Sequence, residues 1–80
     1  MSKIKKNIVI QVNNQRETNE VLDIIKSITN DSVCRIYEFA GGWKQVGYDE
    51  SLLEWALLPL RHLSKNIETI SYNQFIKDYK

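Results

Sequence analysis

One cysteine, one proline, one histidine and three glycines are spread over 80 residues, and each scarcity excludes something. A lone Cys34 cannot close a disulfide within the chain and carries no mark of an oxidising compartment. With one cysteine and one histidine, a zinc site would need two carboxylates at no recognisable spacing. Gly41-Gly42 lacks the Gly-Lys-Ser/Thr continuation of a phosphate loop. The longest apolar run, 55–60 counting Pro59, is far short of the roughly 20 residues that cross a bilayer. At the basic start, Lys3, Lys5 and Lys6 precede only Ile8-Val9-Ile10, too short for the apolar core of a secretory signal. The expected location is therefore cytoplasmic, with no membrane partner. Excess charge of one sign is missing too: eleven basic and ten acidic residues leave +1, neither a polycation for nucleic acid nor an acidic mimic of it.

What is present is ordinary for a globular protein, 42% apolar and 26% charged. A chain of 9.4 kDa should keep about 5,000 Å² accessible when folded, enough for one core and one domain over 1–80. Residues 1–6 read as a flexible basic start. Ile8, Ile10 and Val12 alternate on one face of a first strand. Asn14-Gln15-Arg16-Glu17 has the spacing of a capping box, with Thr18 a competing cap. Val21, Ile24, Ile25 and Ile28 then form one stripe of a helix that Asn30-Asp31-Ser32 stops.

Strands are expected over 33–39 and 43–48, joined at Ala40-Gly41-Gly42 as an antiparallel hairpin. Ser51-Leu52-Leu53-Glu54 repeats the capping-box spacing, so a second helix is expected over 52–63, kinked or split at Pro59. Residues 67–70 read as a short strand. Ser71-Tyr72-Asn73-Gln74 is a third capping-box spacing, and Tyr72, Phe75, Ile76 and Tyr79 give an amphipathic helix over 72–80. The order β-α-β-β-α-β(-α) fits an α+β, ferredoxin-like plan: an antiparallel sheet with helices on one face. The competing plan has three strands, with 67–70 as loop.

Alternation then sorts the strands into two faces. Cys34, Ile36 and Val46 fit the core side, because the opposite set contains Arg35, costly to bury unpaired. The outward set is Val33, Arg35, Tyr37 and Phe39, joined by Trp43, Gln45 and Gly47. The expected result is an open sheet face carrying Arg35, Tyr37, Phe39 and Trp43. Three readings compete for it. The aromatics pack on one another or under the terminal helix; or they form a protein interface, with a partner or a second copy, since Tyr, Trp, Phe and Arg are enriched at hot spots; or bases stack on them. Arg35-Ile36-Tyr37-Glu38-Phe39 shares only alternation with RNA-recognition strands, and the near-neutral charge argues against a groove that tracks phosphates.

Lys3, Lys5 and Lys6 are explained as a solvated end. Arg61, His62 and Lys65 are explained as cations at a helix C-terminus. Surplus leucine around Leu58, with Trp55, is a possible second contact surface. A Cys34–His62 nucleophile pair is disfavoured by the core-side placement of Cys34. Asp49, Glu50 and Glu54 are better explained by capping than by acid–base work.

The reading is a small non-enzymatic adaptor or inhibitor, with Tyr37, Phe39 and Trp43 as anchors and Arg35 and Lys44 as polar edge residues. A protein partner or a second copy is expected, and no cofactor, metal or small-molecule substrate. A single-stranded nucleic-acid module on the same face is the alternative. Ile, Asn and Lys supply 25 of the 80 residues, a skew that an AT-rich genome produces and that suits a phage or mobile-element inhibitor of a host protein.

Overall fold

The computed structural model describes residues 7–35, 37–40, 43–59 and 67–80. The expectations for Lys3, Lys5, Lys6, Ile36, Arg61, His62, Leu63 and Lys65 lie outside the described residues. Strand β1, Ile8–Gln11, leads to helix α1, Gln15–Thr29; strands β2, Trp43–Asp49, β3, Glu54–Pro59, and β4, Glu68–Ser71, follow, and helix α2, Tyr72–Tyr79, comes last. The result is an α+β domain with 5289 Å² of accessible surface, close to the value expected from its mass.

Both capping signals that flank helices act. Asn14 Oδ1 accepts from the Glu17 amide at 2.9 Å, and Ser71 Oγ from the Gln74 amide at 3.1 Å. Glu17 reaches back one residue further than the motif requires: its Oε1 accepts from both the amide and the side chain of Asn13, each at 3.0 Å. That satisfies a carboxylate only 8% exposed. Thr18 is not the cap; its hydroxyl donates to the Asn14 carbonyl inside the first turn.

The sheet order is β3-β2-β1-β4. β1 is antiparallel to β2 but parallel to β4, with Ile8 opposite Glu68 and Ile10 opposite Ile70. The sheet is thus mixed, and neither this order nor the connectivity is that of the expected ferredoxin-like plan. The main cause is 52–59, the described part of the helix expected over 52–63. Instead of a helix, Asp49 and Glu54 close an antiparallel β2–β3 hairpin, and Trp55 to Leu58 are its buried second strand. A strand covered on both faces reads as a continuous apolar run, which periodicity cannot tell from a buried helix. Pro59 is the last residue of β3, where a missing amide costs little.

The strand expected over 33–39 shrinks to single bridges. Val33 pairs in parallel with Trp55, through Trp55 N to Ser32 O at 3.0 Å and Cys34 N to Trp55 O at 2.7 Å. Ala40 and Trp43 pair antiparallel, so the chain reverses where expected, but among the described residues no ladder continues from this pair. Since β1 and β3 are both antiparallel to β2, the path β1–α1–Val33 is a parallel crossover whose second strand has dwindled to one residue.

Both helices pack on one face of the sheet. Val21, Leu22, Ile25 and Phe75 meet Ile8, Ile10, Val12, Val46, Trp55 and Leu57 in a continuous core. On the opposite face Val9, Gln45, Gly47, Ala56 and Leu58 are buried as well. Val9 and Leu58 close so tightly over Gly47 that a Cβ there would lie 2.8 Å from Val9 Cγ1 and 2.9 Å from Leu58 Cδ1.

Candidate functional site

Trp43, Gln45 and Gly47 were expected on one face. The β2–β3 register instead shifts between Trp43, opposite Pro59, and Gln45, opposite Leu58. One extra residue, Lys44, is inserted as a bulge and left exposed. Because side chains alternate with period two, one inserted residue reverses the face of everything before it. Trp43 therefore turns toward the helix-side core, where it packs half-buried.

The segment before it takes the same side. Arg35 forms an ion pair with Asp23 of α1, and the Phe39 amide donates to Gln15 Oε1 at 2.7 Å. Gln15 and Asp23 are two helical turns apart, about 12 Å. Gln15 Oε1 thus takes the Phe39 amide, a backbone donor that a neighbouring strand would otherwise satisfy.

Tyr37, Phe39 and Trp43 are all half-buried against the core, and Tyr37 stacks on Trp43 with centroids 5.1 Å apart and planes at 22°. Arg35, Glu38 and Phe39 line an open groove of about 760 Å³ with Gln15, Asn19 and Asp23 of α1. The structure thus brings Tyr37 and Trp43 together, places Arg35 and Phe39 in the adjacent groove, and sets Lys44 beside Trp43. The patch lies where the 35–40 segment meets α1 and the start of β2, and not on an open sheet face. Sequence reasoning missed Gln15, Asn19 and Asp23, although their spacing of four residues marks one polar stripe of α1.

Cys34 is half-buried, with its amide held by Trp55. Asp49 is a turn residue: its Oδ1 accepts from the amides of Ser51 at 2.9 Å and Leu52 at 3.4 Å. A separate polar cluster joins the helices. Glu20 accepts from the Tyr72 hydroxyl and from Lys80 Nζ, the latter at 2.9 Å, with Arg16 at 3.6 Å. Those bonds hold the Glu20 carboxyl below its ordinary value of 4.5, the Tyr72 bond first, and raise Tyr72 and Lys80 above theirs. Among the described residues, no group of three or more His, Cys, Asp or Glu is placed to hold a metal ion, and no helix is long and apolar enough to cross a membrane. Comparison with protein-family models, curated proteins and solved structures gives no match.

Proposed function

We propose that this chain is a non-enzymatic binding protein, an adaptor or inhibitor that holds another protein through Arg35, Tyr37, Phe39, Trp43 and Lys44. The observation that supports it is the Tyr37–Trp43 stack, half-exposed, with Glu38 and Phe39, the next residues along the chain, lining a groove. Stacked rings lose little conformational entropy on binding, because each already constrains the other. Arg35 and Lys44 flank the rings and set orientation. The domain acts by occupying a partner's surface, without chemistry, in the manner of a phage or mobile-element inhibitor of a cytoplasmic host protein.

The protein reading is favoured over nucleic acid at this patch. Tyr37 and Trp43 close on each other rather than leaving a ring free for a base, and Asp23 and Glu38 bring carboxylates into the groove. The test is capture from cells by the immobilised chain, comparing wild type with Tyr37→Ala after matching their folded fractions. A partner that is lost with Tyr37→Ala, and held with little dependence on salt, supports the reading. Equal capture by both proteins would sink it. Light scattering across the micromolar range identifies a second copy if that is what the patch holds.

A further inference from the structure

We propose that the tip of the β2–β3 hairpin is a second docking element, which seats Leu52 and Leu53 in an apolar pocket with a basic rim on a partner protein. Among the described residues these two are the exposed large hydrophobics, at 42% and 68%. Leu53 also has a φ of 56°. The one other described non-glycine residue with positive φ is Asn30, the C-cap of α1, a residue type suited to that conformation. Leucine is not: its Cβ is crowded there, and glycine or asparagine would fill the position without strain. A strained residue whose side chain lies mostly in solvent gives the isolated fold nothing in return. Such residues cluster where a chain grips something else.

The tip is also fixed before any partner arrives. Asp49 Oδ1 holds the amides of Ser51 and Leu52, and Asp49 faces Glu54 across the closing pair. A loop held in one conformation loses less entropy on docking.

Charge selects the partner. Asp49, Glu50 and Glu54 frame the two leucines, and no basic residue occurs between Lys44 and Arg61. An apolar pocket rimmed by lysine or arginine complements that pattern. A second copy placed tip to tip would set carboxylates against carboxylates, and an anionic bilayer would repel them. The site is distinct from the aromatic patch, since Trp43 and Asp49 stand at opposite ends of β2, six residue steps or about 20 Å apart.

The test places a benzoylphenylalanine photocrosslinker at Ser51 of the full chain, with Lys77 on α2 as the control position. After irradiation in cells, the adduct protein is identified, purified and titrated against wild type and Leu53→Gly. The proposal expects an adduct from position 51 and none from 77. It also expects binding at least tenfold weaker for Leu53→Gly, although that variant melts at a higher temperature than wild type. Raising salt or introducing Glu50→Gln should weaken binding further, and Tyr37→Ala should leave the adduct in place. Equal binding by Leu53→Gly, a lower melting temperature for it, equal adducts from both positions, an adduct with a second copy, loss of the adduct with Tyr37→Ala, or co-sedimentation with phosphatidylcholine–phosphatidylserine vesicles would each overturn it.

Discussion

The indole Nε1 of Trp55 donates to Asp31 Oδ2 across 3.1 Å, tying the largest fully buried side chain among the described residues to the loop that follows α1. The backbone of the same tryptophan holds Ser32 and Cys34. One residue of β3 thus secures the whole return from the helix to the sheet edge.

Asp31→Ala leaves that indole N–H buried without its partner, and an unmet buried donor costs about 1–3 kcal/mol. Urea unfolding should show a loss in this range with an unchanged slope. Asp31→Asn, which still offers an acceptor, should recover most of it.

Gly47→Ala places a methyl group against Val9 and Leu58. Overpacking of this kind costs about 1–3 kcal/mol. Val9→Ala opens space, so the double variant Gly47→Ala/Val9→Ala should be more stable than the two single losses summed. Thermal melts of the four proteins measure the coupling, and simple additivity would contradict the contact.

Leu53→Gly removes a left-handed leucine, a conformation that costs roughly 1–2 kcal/mol, and introduces a more flexible unfolded chain, which takes back up to about 1 kcal/mol. The net expectation is a gain near 0.5–1 kcal/mol, or a rise of a few degrees in Tm for a domain of this size. Scanning calorimetry reads it directly.

The Glu20 cluster gives α2 a pH window. Glu20 is depressed below 4.5 in the fold, so its contribution is present above that value and is lost as pH falls through the lower folded one. Tyr72 and Lys80 are raised above 10.0 and 10.5, so theirs is present below those values and lost as pH rises through the folded ones. Protection of the α2 amides, that is exchange relative to the intrinsic rate at each pH, should therefore be greatest across the neutral range and fall at both extremes. Glu20→Gln should flatten the acid limb.

What could be read from the residues was whatever local spacing decides. Asn14 and Ser71 announce their helices because a cap and its amide lie three residues apart. Ile8, Ile10 and Val12 reached the core as their alternation required. Three features were illegible for definite reasons. Trp55 to Leu58 are covered on both faces, so they carry no period at all. Ser51 to Glu54 has capping-box spacing, yet Asp49 supplies the acceptor and turns the same residues into a hairpin tip. Lys44 inserts one residue and reverses Trp43, an event visible only in the register of two strands. Arg35 lines a groove with Phe39, but its partner Asp23 is twelve positions away, and no short motif encodes that pairing.

The parallel pairing of β1 with β4 joins Ile8 to Glu68, about sixty residues along the chain. Closing so long a loop is entropically slow, whereas the β2–β3 hairpin closes over a handful of residues. Assembly should therefore start at the hairpin, gain β1 and α1, and finish when β4 and α2 arrive together. During synthesis at about 5–20 residues per second, β1 would wait several seconds with one edge unpaired. The last dozen residues thus decide when the sheet is complete, and a chain cut before Glu68 would expose that edge to proteases and to strands of other nascent chains.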